Sequence, residues 1–385
     1  AGLFALPPTR PHSPPGGAMF RRLWNFAKRH RKKLLFTAAC AGGAYYAWKI
    51  WLPRVQQQLL EKLLKESLEL AKGEEEEKRR LEDRKANFAH KQQVSDAYVR
   101  KALAALQARH KELFAVEECV EKVKSAPTKE ARLECFLQLQ AECLSRLVSA
   151  MYVLHALLML HRVEFNIVGR ELSNASGGKA GGGAEPAEGA EAHAAFLETT
   201  RFLREEGVGQ ISDSARGAVR ACLDSLGLSP TATVSAELLE KLFSDICSKV
   251  NDEFLPGSRA VSLFLPESVD QEVPEEHRPR VKPLVDEARD YLESPQFAEV
   301  FRTISGKAAK RLAGAFGDSA PDPAAAPLSG GQSCPLAKLN GQFIEISKTL
   351  LDEGNDSVAR FAEEPVVDEF CQGLYFEDGS SAARK

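Results

Sequence analysis

A dense basic cluster that runs directly into an apolar stretch is the feature that most constrains this chain. Seven Arg or Lys residues and one His occur between Arg21 and Lys33, with no acidic residue. Residues 34–52 follow, and Lys49 is their only charge. As a helix, this stretch would be about 28 Å long, close to the thickness of the hydrocarbon core of a bilayer. The pattern predicts a single N-terminal transmembrane helix over residues 34–52.

A cleaved signal peptide is the alternative interpretation of the same segment. Tyr45, Tyr46, Trp48 and Trp51 crowd its far end, as the aromatic belt of a membrane helix would. A secretory signal would instead end in a small-residue cleavage site and would carry a less dense basic region. We therefore favour a retained anchor.

The orientation of this anchor is left open by two opposing arguments. Eight cysteines are scattered along the chain without a CxxC pair or a Cys/His spacing that suits zinc. They are typical of reduced, buried thiols, which places the bulk of the chain in the cytosol. The positive-inside rule would instead place the basic N-terminus in the cytosol. The residues alone do not resolve this conflict.

The rest of the chain predicts helices separated by short turns, and therefore an all-α fold. After Pro53, a Glu/Lys/Arg-rich pattern predicts a solvated helical stalk, and Ser95 or Asp96 could cap the helix that follows it. We expect an elongated cytosolic helical bundle beyond the stalk. The predicted divisions are 1–18 disordered leader, 19–33 basic segment, 34–52 transmembrane helix, 53–92 stalk, 93–376 bundle with flexible insertions at 173–194 and 317–332, and 377–385 disordered tail.

A long helix is predicted after the turn at Pro127. Thr128 is a good N-cap, and apolar side chains then recur at helical spacing from Leu133 and Phe136 onward to about residue 165. Residues 148–160 are apolar nearly all round, but thirteen residues are too few to cross a bilayer. They predict a central helix buried on several sides.

No pattern in the sequence indicates catalysis. We find no phosphate loop, dinucleotide fingerprint, zinc-protease, hydrolase or kinase motif. The carboxylates lie among Lys and Arg in helix-surface patterns, and the net charge is −3, which gives no reason to expect nucleic-acid binding. The sequence predicts a protein that is not an enzyme, with no cofactor and no metal.

Short segments stand out over most of the chain, from residue 24 to the last third. They are residues 24–33 (WNFAKRHRKK) with Phe36-Thr37 and 42–45 (GGAY), 162–169 (RVEFNIVG), 289–297 (RDYLESPQF), and 335–338 (PLAK) with 340–342 (NGQ). In this order the segments resemble the peroxin-3 family, that of peroxisomal biogenesis factor 3.

This resemblance implies a single-pass protein of the peroxisomal membrane, with the bulk of the chain facing the cytosol. It also implies docking of the cytosolic import receptor, peroxisomal biogenesis factor 19, through an amphipathic helix held in a hydrophobic groove. The alternative within the family is a tether that recruits autophagy or organelle-inheritance factors. The implied targeting residues are Arg21, Arg22, Lys28, Arg29, His30, Arg31, Lys32 and Lys33.

The resemblance further implies the groove residues. Phe136 takes the place of a family Trp, which keeps an aromatic plug but loses the indole donor. Arg132 replaces a Lys, Leu172 matches an Ile, and the turn at Pro127 aligns Val123 with a Leu and Lys124 with a Lys. Leu133 lies one turn before Phe136. From the residues alone, Phe136 and Leu133 would be interpreted as core.

Overall fold

A computed structural model describes residues 24–25, 28–46, 49, 52–177, 187–255, 259–270, 272–316, 333–354 and 356–376. The chain divides into two units, Ala1–Glu82 and Asp83–Lys385. The helices are α1 Arg31–Tyr46, α2 Leu52–Leu113, α3 Val116–Ser125, α4 Lys129–Gly177, α5 Ala187–Leu197, α6 Val208–Ser225, α7 Ala236–Phe254, α8 Arg259–Phe264, α9 Arg278–Glu293, α10 Pro295–Phe316, α11 Asn340–Leu350, α12 Ser357–Ala362 and α13 Pro365–Phe376. The two strands are β1 Thr233–Val234 and β2 Cys334–Pro335.

Helix α1 covers the first part of the predicted membrane span. Residues 47, 48, 50 and 51 lie outside the described residues, as do the predicted leader at 1–18, the insertion at 317–332 and the tail at 377–385. Within the described part of the chain, only Lys129–Asn174 is long and apolar enough to cross a membrane, and its apolar window is entirely buried in the protein. Full burial is typical of a core helix, so Lys129–Asn174 is interpreted as core. The N-terminal span stays a prediction.

The predicted boundary at residue 92 does not separate two helices. Helix α2 runs without interruption from Leu52 to Leu113. Ser95 is buried rather than capping a helix end, and Asp96 lies 2.6 Å from the guanidinium of Arg162 on α4. A short polar pair inside a helix resembles a cap in sequence, but here Asp96 pairs with a distant arginine and Ser95 is simply buried.

Helix α4 is the centre of the unit Asp83–Lys385. Helices α3, α6, α11 and α13 pack against it, and residues 148–160 are buried on every side, which confirms the predicted central helix. The Tyr152 hydroxyl on α4 contacts the carbonyl of Cys247 and Oδ1 of Asn251 on α7, at 3.1 and 3.0 Å. The helix ends at Gly177 rather than near residue 165, and the turns beyond residue 165 are themselves partly in the core, since Ile167 and Val168 are buried.

Two local elements were not foreseen. The predicted flexible insertion at 173–194 is helical at both ends, and only residues 178–186 lie outside the described residues. Its Ala/Glu-rich end forms α5, which buries Ala192 and Phe196 at an i, i+4 spacing. Strands β1 and β2 pair antiparallel over two residues each, which is too short to produce an alternating pattern.

The cysteines in the described residues are all free thiols, and six of the eight are buried. Burial raises the pKa of the Cys143, Cys247 and Cys371 thiols to about 12. They therefore stay protonated and pack as small apolar side chains, as the sequence predicts.

Three histidines are buried in the neutral form. Burial first, and then nearby arginines, lower the pKa of His110 and His161 to about 3 and that of His155 to about 4. His110 Nε2 lies 3.1 Å from the Ser149 hydroxyl. Burial acts oppositely on the Glu164 carboxyl, whose pKa it raises well above the usual 4.5.

These shifts predict acid sensitivity. Each histidine binds a proton in the unfolded chain below about pH 6.5 but not in the folded chain, so its contribution to stability is lost as the pH falls. Glu164 has the opposite effect. Above about pH 4.5 it binds a proton in the folded chain but not in the unfolded chain, and this offsets one of the three histidine protons. We expect the free energy of unfolding to fall by up to about 2.7 kcal/mol per pH unit between about pH 6 and 5, a net of about two protons.

Urea unfolding at several pH values measures this slope. His110→Gln keeps a hydrogen-bonding group beside Ser149 but cannot titrate, so the slope should shrink by about one proton, or about 1.4 kcal/mol per pH unit. The exposed His90→Gln variant is the control. An unchanged slope in His110→Gln would contradict the assignment.

Candidate docking site

Helices α3 and α4 form a hairpin joined by Ala126, Pro127 and Thr128. The Thr128 hydroxyl oxygen accepts a hydrogen bond from the backbone N–H of Ala131 at 3.1 Å, which confirms the predicted N-cap. On the other side of the turn, the Ser125 hydroxyl donates to the carbonyl of Glu121 at 2.8 Å. Each helix end at the turn thus has a local side-chain hydrogen bond, and this stabilises the hairpin.

One face of α4 changes from buried to exposed as it approaches this turn. Gln140, Leu144 and Leu147 are completely buried on that face, whereas Leu137 and Leu133 are 43% and 46% exposed. The residues recur every three or four positions, so they belong to one stripe of the helix, and apart from Gln140 that stripe is apolar. Core packing therefore stops about one turn short of Leu137, and the stripe continues uncovered.

The apolar surface is completed by half-buried side chains. Phe136 lies beside the two leucines on α4, and Val120 and Val123 lie on α3; all three pack against the core with one side. We define the hairpin surface as Val120, Val123, Leu133, Phe136 and Leu137. Within the described part of Asp83–Lys385, Tyr98 is the one other large apolar side chain that is strongly exposed. The hairpin surface is thus the main uncovered apolar face of this unit.

Arg216 on α6 fixes the base of the hairpin. Its guanidinium lies 4.4 Å from the centre of the Phe114 ring and donates a hydrogen bond to the carbonyl of Leu113. It also forms an ion pair with Glu142 on α4 at 3.4 Å. Leu113 ends α2, and Phe114 begins its link to α3. This one side chain of α6 therefore ties the α2–α3 link to α4, and both of these position the hairpin surface.

The rim of the surface carries both signs of charge. Lys124 forms an exposed ion pair with Glu121 at 2.7 Å, and Arg132 is exposed. An apolar centre with a charged rim suits the burial of another protein's apolar face. No group of three or more metal-binding side chains occurs in the part of the chain that the structure describes.

Five of the six predicted groove residues lie together. Phe136, Leu133 and Arg132 are on the first turns of α4, while Val123 and Lys124 are at the end of α3. Val120 and Leu137 were missed, although each lies one turn from a predicted residue. Helical spacing alone was the signal that could have added them.

Leu172 does not lie with the others. It follows Phe136 by 36 residues in the same helix, a separation of about 54 Å at about 1.5 Å per residue. Its assignment came from counting residues from Arg162 under the resemblance, which gives a position in the sequence but not a position in space. The uninterrupted length of α4 instead carries Leu172 to the far end of that helix, so the structure does not bring it to the hairpin surface.

The predicted targeting residues are described in part. Arg21 and Arg22 lie outside the described residues. Lys28 and Arg29 are exposed, as are the first residues of α1, Arg31–Lys33, whereas His30 is half-buried. Exposed cations at the start of an apolar helix are compatible with contact to lipid headgroups.

Comparison with known proteins finds relatives whose sequences align with most of this chain. No family model matches. Among curated proteins, peroxisomal biogenesis factor 3 of mouse (Mus musculus) is 26% identical over 311 residues, and that of rat (Rattus norvegicus) is 27% identical over 314 residues. Human (Homo sapiens) peroxisomal biogenesis factor 3 is 25% identical over 310 residues. Each alignment covers 76% of this chain and 78% of the relative.

Proposed function

This chain belongs to the family of peroxisomal biogenesis factor 3, and from that premise we propose that it serves peroxisome biogenesis as a docking receptor in the peroxisomal membrane. In this proposal the basic segment and residues 34–52 hold the chain in the membrane, and the unit Asp83–Lys385 faces the cytosol. Its role is the insertion of peroxisomal membrane proteins. Catalysis has no part in it.

The partner we propose is peroxisomal biogenesis factor 19, which would present an amphipathic helix to the hairpin surface. The observation that carries this proposal is the uncovered stripe on α4, where Leu133 and Leu137 stand exposed beside half-buried Phe136. Side chains at i, i+3 and i+4 on a partner helix would fit between α3 and α4. The mixed charges of the rim would then select the orientation of that helix.

Phe136 is the expected anchor of this contact. Aromatic side chains at the centre of an interface are the usual hot spots, and truncation typically costs about 2 kcal/mol or more. We expect Phe136→Ala to weaken binding of the receptor's helix about 30-fold, with little change in helix content because one side of the ring is already exposed. Isothermal titration calorimetry of the full chain in lipid vesicles with a synthetic receptor-helix peptide measures the effect.

Leu172→Ala is the matched control. It removes an apolar side chain from the same helix at a distance of about 54 Å, so binding should stay within about twofold of the unmodified chain. Equal losses for Phe136→Ala and Leu172→Ala, or no loss for either, would contradict the proposed site.

A further inference from the structure

A separate cavity of about 320 Å³ borders the central helix α4. It is lined by α4, α10, α11 and α12 and by the turn before α13, all within the unit Asp83–Lys385. Its volume is in the range of small-molecule sites and corresponds to about ten water-sized groups. None of its lining residues belongs to the hairpin surface, so the proposed docking function leaves the cavity unexplained.

The walls of the cavity are mainly apolar. Met151 and Leu154 come from α4, Ile304 and Leu312 from α10, and Phe361 from α12; each is almost fully buried. The α10 residues that line it recur at helical spacing, so one apolar face of that helix borders the cavity. A ligand that fills this space gains from burying an apolar chain.

The polar groups of the cavity carry an excess of positive charge. Arg311, Arg360 and Glu364 line it, and Lys307 joins them through an ion pair with Glu364 at 2.5 Å. Glu364 also pairs with Arg311, and three cations thus face one carboxylate. Among the described residues no carboxylate pairs with Arg360, which is exposed. The site therefore has unused positive charge beside an apolar chamber.

His155 adds a hydrogen-bonding group to the same wall. It is 8% exposed, stacks on Phe361 with 5.9 Å between the ring centres, and its Nδ1 has no hydrogen-bond partner among the described residues. Burial and Arg311 lower its pKa to about 4, against the opposing effect of Glu364. The neutral imidazole keeps one N–H that can donate to an anionic oxygen.

We propose that this cavity binds a single-chain amphiphile with a carboxylate head, of the fatty-acid class. The chain lies among Met151, Leu154, Ile304 and Leu312, and the carboxylate lies at the mouth beside Arg360. Guanidinium and carboxylate groups match in shape and charge. A zwitterionic or uncharged head would leave the excess charge uncompensated.

Photochemical labelling tests this site in the full chain reconstituted into phosphatidylcholine vesicles. The probe is a medium-chain fatty acid with a diazirine near its chain end, and the comparison probe is the alcohol of the same chain. Mass spectrometry then locates the label. We expect saturable labelling of peptides from α4, α10 and α11 by the acid, and about fivefold less by the alcohol.

Two variants and one control complete the test. Arg360→Glu should reduce labelling at these peptides about fivefold, and Ala308→Phe, which fills the cavity, should abolish it. Arg302→Glu makes the same charge change on α10 outside the cavity and should leave labelling unchanged. Because Arg360 is exposed, its variant should fold even if Ala308→Phe does not.

The proposal is overturned by any of three results. These are equal labelling by acid and alcohol, labelling that does not saturate, and labelling that Arg360→Glu leaves unchanged. The hairpin surface is unaffected by these variants, so binding of the receptor-helix peptide reports separately on the proposed docking function.

Discussion

Gly207→Ala is expected to destabilise the fold by about 3 kcal/mol or more. Gly207 ends the π-helical turn Leu203–Gly207, directly before α6. A β-carbon added at Gly207 would lie 2.2 Å from the carbonyl oxygen of Leu263 and 2.9 Å from Cδ1 of Leu203. The first contact is with backbone, which cannot rotate away, so α6 or α8 must shift.

The same shift would reach the docking site, because α6 carries Arg216 and thereby the base of the hairpin. We therefore expect a lower thermal midpoint together with weaker binding of the receptor-helix peptide. The effect on binding is indirect, because it acts through the position of α6 and not through a contact between Gly207 and the peptide.

Gly209→Ala is the matched control, two residues further along. Nothing lies within 4 Å of a β-carbon built at this position, and Ala is a better helix former than Gly by about 0.8–1.0 kcal/mol. This variant should be at least as stable as the unmodified chain. Thermal unfolding followed by circular dichroism distinguishes the two, and equal midpoints for both variants would contradict the close contact at Gly207.

Local patterns in the sequence predict the central part of the fold well. The Pro127 turn and the Thr128 cap are short-range signals, since the capping bond joins residues three apart. The all-round apolar run at 148–160 predicts burial because no amphipathic helix has that composition. These features need no knowledge of what lies opposite them.

Long-range contacts decide the features that the sequence does not reveal. Ser95 and Asp96 resemble a helix cap in the sequence, but Asp96 instead pairs with Arg162, 66 residues further along the chain. The role of Arg216 depends on a ring, a carbonyl and a carboxylate from other parts of the chain. The separation of Leu172 from the other predicted residues has the same origin, since only the unbroken length of α4 shows how far it lies from Phe136.

Neither the helical spacing nor the resemblance alone predicts which part of the hairpin surface is exposed. The sequence places Leu133 and Phe136 on one stripe, but the stripe itself favours core over interface. The resemblance favours interface, and the structure adds that core packing ends between Gln140 and Leu137. That position depends on where neighbouring helices end, which residue spacing does not encode.

Replacing both exposed leucines by glutamate is expected to have the largest effect on binding. In Leu133→Glu with Leu137→Glu, two carboxylates would enter an interface that the proposal makes apolar. Each would lose water without gaining a partner, and burying an uncompensated charge is strongly unfavourable. We expect a loss of more than about 3 kcal/mol, or more than about a hundredfold in affinity.

The cost to folding should be small in this variant. Both side chains are nearly half exposed in the free protein, and substitutions at such positions usually change stability by about 0.5 kcal/mol or less. This separation of binding from stability is sharper than at Phe136, which packs partly against the core.

The affinity of the receptor-helix peptide for this double variant is the most direct test of the account. Calorimetry on the full chain in vesicles should give more than about a hundredfold weaker binding, with an unchanged thermal midpoint. Gln138→Glu adds a carboxylate to the same turns of α4 outside the hairpin surface, and it should bind within about twofold of the unmodified chain. Double-variant binding within about threefold of the unmodified chain would contradict docking at the hairpin surface.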